Sequence, residues 1–349
     1  MAQTSEANSV NTTAMEPTVQ ALLAPGKGIL AADESLPTIG KRFKELNIAS
    51  TEENRRAYRD MLFTAPGLNE SVSGVILFDE TLRQRTNRGA RMPEALAALG
   101  IVPGIKVDAG TVPLALFADE QITLGLDGLR ERLAEYRDLG ARFTKWRAVI
   151  RIGERLPTRT CLGANATALA LFAALSQEAG LVPIVEPEVL MDGSHTIDRC
   201  EEVTAETLGR VFEALARHRV VLESMLLKTG MVLSGEDCPQ QAETAAVAEA
   251  TVRCLLRAVP AAVPGVVFLS GGQGDADATR RLNAICAQRG VPWRLTFSYG
   301  RALQAPALKA WRGSPDKAAL AQAKLLHRAR CNGLAVLGKY TEEAEAAGG

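Results

Sequence analysis

The 349-residue sequence has no excess of charge and no long apolar run. Lys+Arg and Asp+Glu number 40 each, which gives a formal net charge of +0. This balance gives no support to nucleic-acid binding or to adsorption on an anionic membrane. No apolar run reaches the ~20 residues that a transmembrane helix needs. The sequence therefore predicts neither a nucleic-acid partner nor a membrane partner.

Patterns typical of metal sites, disulfides and export signals are also missing. The six cysteines form no CxxC pair, as expected of reduced thiols in a cytosol. His195, His218 and His327 lie far apart with no ligand motif around them, which argues against a histidine-built metal site. Residues 1–16 are polar and contain no Lys or Arg, unlike a secretory signal or an Arg-rich transit peptide. We therefore expect a cytoplasmic protein with no metal and a flexible extension over residues 1–16.

Short apolar runs alternate with longer amphipathic segments along the chain. The predicted strands are 28–33, 72–78, 101–108, 143–150, 181–190, the run around Lys228, 266–270 and 293–299. The predicted helices are 41–46, 52–63, 126–139, 164–179, 204–219, 240–258 and 276–288, followed by further helices between 301 and 330. Strands alternating with helices indicate parallel strands joined by right-handed crossovers. About eight such units predict a closed (β/α)₈ TIM barrel.

The barrel is predicted to be a single domain over residues 17–340, because no linker or internal repeat divides the chain. A doubly wound sheet would usually show a Gly-rich phosphate turn after the first strand, where Asp33-Glu34-Ser35 stands instead. Residues 341–349 are short, acidic and rich in Ala and Gly, and are therefore predicted to be a disordered tail.

One lysine, Lys228, lies within the short apolar run 221–235. Lysines are almost never fully buried without a reason, because burial disfavours the charged ammonium. A neutral amine can attack a carbonyl group and form a Schiff base. Taken alone, the run favours a plainer interpretation, a lysine at a strand end that extends to solvent. The charges at the other strand ends reverse that preference.

Polar and charged residues fall at or near the ends of nearly all predicted strands, where a barrel carries its chemistry. They are Asp33, Lys106, Asp108, Lys145, Arg147, Glu186, Glu188, Lys228, Ser270 and Arg301. The spacing of two within Lys145/Arg147 and Glu186/Glu188 turns each pair to one face of its strand. A ring of ion pairs that only fixes the barrel would also place charges there. Charges at so many strand ends around a buried lysine favour an active site.

Two groups of residues are suited to binding phosphate. Ser270-Gly271-Gly272 and Gly300-Arg301 follow the seventh and eighth strands, the usual phosphate position in such barrels. A second group lies near the first and third strands and comprises Ser35, Thr38, Lys41, Arg42 and Lys106. Two cationic ends with an amine between them predict a substrate phosphorylated at both ends with a carbonyl in the middle.

With these residues in place, the sequence resembles the class I fructose-1,6-bisphosphate aldolase family. The resembling segments are GILAADES (28–35), GVILFDETL (74–82), GIKVD (104–108), TKWR (144–147), IVEPEVL (184–190), LLKTGMV (226–232), LSGGQ (269–273), TFSYGRALQ (296–304) and VLGKY (336–340). They follow one another in order over nearly the whole chain, so the match is highly specific.

The resemblance implies a homotetramer that reversibly cleaves fructose 1,6-bisphosphate to dihydroxyacetone phosphate and glyceraldehyde 3-phosphate, in glycolysis and gluconeogenesis. It implies no cofactor, because the covalent imine on Lys228 serves as the electron sink. Glu186 is implied as the main proton-transfer residue with Glu188 beside it. Asp33 is implied to handle the hydroxyl proton during C–C cleavage, and Lys145 to favour the neutral amine of Lys228.

The resemblance also assigns the remaining binding residues. One phosphate is implied to bind Ser270, Gly271, Gly272, Gly300 and Arg301. The other is implied to bind Ser35, Thr38, Arg42 and Lys106, with Arg55 nearby. Arg147 is implied to hold charge near the reacting centre.

Three departures from the animal pattern make the substrate preference less secure than the reaction type. Leu36-Pro37-Thr38 replaces Thr-Gly-Ser, Thr229-Gly230 replaces Pro-Asn, and the chain ends without a tyrosine. The alternatives are cleavage of sedoheptulose 1,7-bisphosphate at the same site and a non-catalytic phosphate-binding scaffold. A metal-dependent aldolase is a third alternative, which the few scattered histidines argue against.

Overall fold

The computed structural model describes residues 12–347, and eight of its ten strands close into a parallel barrel. The strands are β1 (Gly28–Ala32), β2 (Val72–Leu77), β3 (Val102–Lys106), β4 (Thr111–Pro113), β5 (Gln121–Thr123), β6 (Phe143–Ile150), β7 (Val182–Val189), β8 (Leu226–Thr229), β9 (Gly265–Phe268) and β10 (Arg294–Tyr299). Around the barrel the order is β1-β2-β3-β6-β7-β8-β9-β10, and β10 returns to β1. The predicted (β/α)₈ fold is confirmed. The antiparallel hairpin β4–β5 was not predicted.

Thirteen α-helices occur within residues 12–347. They are α1 (Glu16–Leu22), α2 (Leu36–Glu45), α3 (Glu52–Phe63), α4 (Asp79–Arg83), α5 (Met92–Ala98), α6 (Leu129–Asp138), α7 (Arg159–Glu178), α8 (Ile197–Arg217), α9 (Thr244–Ala258), α10 (Asp275–Cys286), α11 (Arg301–Trp311), α12 (Ala318–Val336) and α13 (Glu342–Ala346). The helices predicted over 301–330 are α11 and α12. They are separated at Arg312 and Gly313, which both have left-handed φ angles, 48° and 77°.

Side chains alternate between the barrel interior and the helical layer. The interior below the strand ends is apolar and fully buried, with Ile29, Ile184 and Leu226 among its members. Phe143 fills the centre of this layer. A Cβ atom at residue 104 would lie 2.3 Å from the Phe143 ring, so only glycine fits there. The packed floor confines the polar residues to the carboxyl ends of the strands.

Both predicted chain-end segments differ from the structure in part. Residues 1–11 and 348–349 lie outside the described residues. Residues 12–14 form a short 3-10 helix, Met15 is buried, and α1 begins at Glu16. At the other end, residues 342–346 form α13, whose Glu345 pairs with the buried Arg328. Composition predicted disorder because this tail has little to bury, whereas in the structure polar contacts of Glu342 and Glu345 hold it.

Helix α7 is the one helix within residues 12–347 that is long and apolar enough to cross a membrane by length and composition. Of its apolar window, 61% is buried against the rest of the protein. It packs on β6, β7 and α8, as the core helix of a barrel does.

Candidate active site

A continuous chain of four charged side chains lies at the carboxyl ends of the barrel strands. Lys228 Nζ is 3.2 Å from Glu186 Oε1, and Glu186 Oε2 is 3.4 Å from Lys145 Nζ. Lys145 Nζ is in turn 2.6 Å from Asp33 Oδ2. Lys228, Glu186 and Lys145 are buried, with side-chain exposures of 4–5%. The structure thus brings together the four residues that the sequence singled out most strongly.

Strand register explains this meeting. Arg147 of β6 lies beside Glu186 of β7, and Val149 lies beside Glu188. Because successive side chains alternate, Lys145 and Arg147 share one face with Glu186 and Glu188. Two ion pairs therefore join β6 to β7. One is the Lys145–Glu186 contact, and the other is Arg147–Glu188, with Arg147 Nε 2.8 Å from Glu188 Oε2.

The ionisation of Asp33 and Lys145 is fixed by their mutual contact. Burial by itself would raise the pKa of Asp33, but the ammonium groups of Lys145 and Lys228 hold it well below its usual range. Burial by itself would lower the pKa of Lys145, but Asp33, Glu186 and Asp108 hold it well above its usual range. Lys145 therefore stays charged and is unsuited to nucleophilic attack.

Lys228 has a different environment from Lys145. Within 4 Å of its Nζ, the described residues offer one carboxylate, that of Glu186, whereas three surround Lys145. Lys228 therefore has fewer ionic contacts than Lys145. An amine with one ionic partner beside an amine that stays charged is an arrangement suited to imine chemistry, in which one amine attacks and the other stabilises charge.

Glu186 and Glu188 differ in their surroundings. Glu186 Oε2 is buried and accepts no hydrogen bond within residues 12–347. Such an orphaned buried acceptor is costly and often marks a functional group. Glu188 lies beside Arg147, and burial, with the nearby Glu186 charge, raises its pKa although Arg147 opposes the shift. Both carboxyl groups are placed to exchange protons near Lys228.

The first predicted phosphate group is assembled at the ends of β9 and β10. Gly271 and Gly272 have positive φ angles of 54° and 95°, which favour glycine. Arg301 donates from Nη2 to the carbonyl oxygen of Gly272 at 2.9 Å, and this bond joins the two loops. Gly300 stands at the N-terminus of α11, whose free N–H groups suit an anion. Ser270, 8% exposed, completes the group.

The second predicted group is only partly assembled. Ser35 caps α2, and its hydroxyl lies 3.0 Å from that of Thr38, in a shared hydrogen bond. Arg42, one turn further along α2, pairs with Glu34. Lys106 Nζ contacts Asp108 Oδ1 at 2.7 Å and donates to its carbonyl oxygen at 2.8 Å. Arg42 and Lys106 are already paired with Glu34 and Asp108. A phosphate that binds Arg42 and Lys106 therefore competes with these two carboxylates.

Arg55 does not join either group. Its Nε and Nη2 atoms donate to Glu80 at 2.7 and 2.6 Å, and its Nη1 atom donates to the carbonyl oxygen of Ser50. All three guanidinium nitrogens are thus engaged by Glu80 and by the Ser50 carbonyl group.

Glu34 is a site residue that the sequence did not single out. Its side chain is 6% exposed, contacts Arg59 at 2.5 Å, pairs with Arg42 and accepts from Gln304 Nε2 at 2.8 Å. Burial alone would raise the pKa of Glu34, but Arg59 and Arg42 lower it. Asp33 faces the reacting lysines and its neighbour Glu34 faces the helices. Alternation along the chain turns the two side chains to opposite sides, but it does not identify the partners of Glu34.

Asp108 was noted at a strand end but not assigned to the site. Its Oδ2 atom lies 3.9 Å from Lys145 Nζ and accepts from the Arg147 backbone N–H at 3.3 Å. Together with its Lys106 contact, this makes Asp108 a support for three predicted site residues. Away from this mouth, one His/Cys/Glu cluster within residues 12–347 has metal-ligand spacing, formed by His327, Cys331 and Glu345.

Comparisons with known proteins place the chain in a family. The family model described as "Fructose-bisphosphate aldolase class-I" matches residues 14–349. A probable fructose-bisphosphate aldolase class 1 of Xanthomonas axonopodis pv. citri is 56% identical over 324 residues, covering 93% of this chain and 97% of the relative. The cytosolic fructose-bisphosphate aldolase 4 of Arabidopsis thaliana is 52% identical over 322 residues, covering 92% of this chain and 82% of the relative.

A solved structure is also similar throughout. Fructose-bisphosphate aldolase from Plasmodium falciparum, in a ternary complex with TRAP and a small-molecule inhibitor, superposes with a TM-score of 0.93 at 48% identity. The match covers 95% of this chain and 96% of that chain. With barrel, strand-end lysines and full-length similarity in agreement, the chain belongs to the class I fructose-bisphosphate aldolase family.

Proposed function

We propose that Lys228 performs the covalent step of a class I fructose-bisphosphate aldolase, a lyase that reversibly cleaves fructose 1,6-bisphosphate to dihydroxyacetone phosphate and glyceraldehyde 3-phosphate. The observation that carries this proposal is the buried chain Lys228–Glu186–Lys145–Asp33 at the barrel mouth. In this chain Lys228 has a single carboxylate neighbour, whereas the nearby Lys145 has three and stays charged. That asymmetry supports imine formation at Lys228.

The reaction begins when the neutral Lys228 amine adds to the C2 carbonyl. The carbinolamine loses water and becomes an iminium, the sink that accepts the C3–C4 bonding electrons. The C4 hydroxyl proton leaves, glyceraldehyde 3-phosphate departs, and an enamine remains on Lys228. Protonation at C3 and hydrolysis by water then release dihydroxyacetone phosphate and restore the amine.

The neighbouring residues manage protons and charge during these steps. Glu186, which touches both lysines, transfers protons to and from the imine nitrogen and leaving water, with Glu188 beside it. Asp33, held as a carboxylate by Lys145, receives the C4 hydroxyl hydrogen. Lys145 and Arg147 stabilise the negative charge that develops around the reacting carbons.

Two anion sites fix the substrate at its ends. The C1 phosphate binds the β9–β10 group of Ser270, Gly271, Gly272, Gly300 and Arg301. The C6 phosphate binds Ser35, Thr38, Arg42 and Lys106. Arg55 is left out of this second group because Glu80 holds its guanidinium.

We further propose that the enzyme needs no cofactor, works in the cytoplasm and forms a homotetramer. The imine supplies the electron sink that a Lewis-acid metal supplies in other aldolases. Cleavage should therefore persist with a metal chelator, and gel filtration with light scattering should give four times the chain mass of 37.2 kDa.

The covalent step is tested by borohydride reduction in the presence of dihydroxyacetone phosphate. One adduct is expected, on the peptide LLKTGMV that contains Lys228. Lys228→Arg should abolish both adduct and turnover, because a guanidinium stays protonated and cannot form the imine. Lys309→Arg, at an exposed lysine of α11, is the matched control and should behave as wild type. An adduct on another lysine, or none, would reject the proposal.

A further inference from the structure

Helix α12 carries a histidine and a cysteine on one face, and the C-terminal helix α13 brings a glutamate to them. His327 and Cys331 are four residues apart, so they lie one above the other on the helix. The Cys331 Sγ atom is 3.6 Å from His327 Nε2. A ligand atom of Glu345 joins them, and the three ligand atoms all lie within 4.8 Å of one another.

We propose that His327, Cys331 and Glu345 bind a thiophilic divalent transition-metal ion, with Zn²⁺ as the best fit. Zinc bonds of ~2.3 Å to sulfur and ~2.0–2.1 Å to nitrogen at a tetrahedral angle place the two ligand atoms about 3.5–3.6 Å apart. The observed Sγ–Nε2 separation of 3.6 Å agrees with that figure. One nitrogen, one sulfur and one oxygen leave the fourth position for water.

The carboxylate of Glu345 is held in place by its own neighbours. Arg328 pairs with one oxygen, and Tyr340 donates its hydroxyl hydrogen to the other at 2.8 Å. Arg328 is itself buried and donates to Thr279 Oγ1 at 2.7 Å. A carboxylate oxygen has two lone pairs, so it can bind a metal and keep its hydrogen bond. Such outer contacts orient ligands at known metal sites.

Charge and protons balance when the ion binds. Metal binding forms the metal–sulfur bond at Cys331 and releases the thiol proton to solvent. One thiolate and one carboxylate then neutralise the two charges of the ion.

The site would clamp the C-terminal helix to the body of the protein. A five-residue helix is too short to be stable alone, so α13 depends on its contacts for order. A metal ion bound by Glu345 of α13 and by His327 and Cys331 of α12 would add to the existing Glu345–Arg328 ion pair. The ligands lie in the outer helical layer, and none of them belongs to the Lys228 chain described above. This clamp is therefore independent of the imine chemistry.

The test uses Co²⁺ as a spectroscopic stand-in for Zn²⁺, added to full-length protein pretreated with a chelator. One equivalent should produce a thiolate-to-cobalt charge-transfer band with intense tetrahedral d–d bands, and Zn²⁺ should remove both by displacement. Cys331→Ser should remove the charge-transfer band. His327→Gln and Glu345→Gln should weaken Co²⁺ binding by at least about tenfold.

Matched controls separate the cluster from other ligands. Cys286→Ser changes the one partly exposed cysteine, and Glu343→Gln changes an exposed carboxylate on α13 itself. Both should keep the wild-type spectrum. Zn²⁺ should also slow amide hydrogen exchange over residues 342–346 in the wild type, a readout that needs no variant to fold. No band at one equivalent, a band that survives Cys331→Ser, or no change in exchange would overturn the proposal.

Discussion

Glu186 lies with its Oε1 atom 3.2 Å from the Nζ atom of Lys228. Its other oxygen faces the charged Lys145 at 3.4 Å and accepts no hydrogen bond within the described chain. This carboxylate therefore connects the amine that we propose attacks the substrate, Lys228, with the amine that we propose stabilises charge, Lys145. A group in that position can take a proton from one step of the imine cycle and return it in the next.

Replacing Glu186 with glutamine should lower kcat by about 10²–10⁴-fold, because general acid–base catalysis contributes that much. KM should change little, since neither phosphate group involves Glu186. Steady-state cleavage of fructose 1,6-bisphosphate measures both constants. Glu213→Gln, at an exposed surface pair with Arg217, should leave both unchanged. A large rise in KM with unchanged kcat would show that Glu186 binds substrate and does not move protons.

The two phosphate groups should respond differently to removal of one arginine. Arg301→Ala should raise KM for both fructose 1,6-bisphosphate and fructose 1-phosphate by roughly 10- to 100-fold, the equivalent of about 1.5–3 kcal/mol. Arg42→Ala should raise KM for the bisphosphate alone, because only the bisphosphate has a C6 phosphate. Arg289→Ala, at an exposed arginine, is the control. Equal losses on both substrates in both variants would show that the assignment of the phosphates is wrong.

Glu34 should make the stability of the protein depend on acid pH. Burial by itself would raise its pKa, but Arg59 and Arg42 lower the folded-state pKa below the ordinary value of 4.5. The stabilisation is therefore fully present above about pH 4.5 and is lost as pH falls through the folded-state pKa. Glu34→Gln should reduce the free energy of unfolding at pH 7 by roughly 1.5–3 kcal/mol. It should also reduce the loss of stability on acidification.

Urea unfolding of wild type and Glu34→Gln from pH 7 down to well below the ordinary glutamate pKa of 4.5 tests this dependence. Glu45→Gln, at an exposed carboxylate of α2, should follow the wild-type curve. If wild type and Glu34→Gln lose stability in parallel on acidification, Glu34 is not the responsible group. Because Glu34 also pairs with Arg42, the variant should alter KM for the bisphosphate more than kcat.

The charged residues of the candidate active site could be predicted from local patterns. They lie at strand ends, and the two-residue period of a strand determines which side chains share a face. Lys145 and Arg147 share a face by spacing alone. Lys228 stands out because it lies within an apolar run and because other strand ends also carry charges. The Glu34 cluster could not be found this way, since it joins the first strand to Arg59 and Gln304, which lie 25 and 270 residues further along the chain. Such contacts depend on how the outer helices pack around the barrel.

The C-terminal segment after residue 340 shows a second limit of prediction from the sequence, in this case from composition. An acidic Ala/Gly-rich segment has little apolar surface to bury, which is why disorder was expected after residue 340. What fixes α13 is a few polar contacts, from Arg328 and Tyr340 to Glu345 and from Arg280 to Glu342, and such contacts leave no periodic signal in sequence. The sequence analysis likewise did not connect His327 with Cys331, although their spacing of four places them on one helical face.

Removing the tail should therefore affect stability more than catalysis. A chain that ends at Tyr340 leaves the buried Arg328 without its carboxylate partner, at a cost of roughly 1.5–3 kcal/mol in the free energy of unfolding. Glu345→Gln should show part of this loss, and Glu343→Gln, at an exposed neighbour, almost none. Cleavage of fructose 1,6-bisphosphate should change little, because α13 contributes no side chain to the Lys228 chain. Tritium exchange from dihydroxyacetone phosphate isolates the proton transfer on the enamine. A tenfold or greater loss of that exchange, about 1.4 kcal/mol of barrier, would mean that the tail takes part in catalysis.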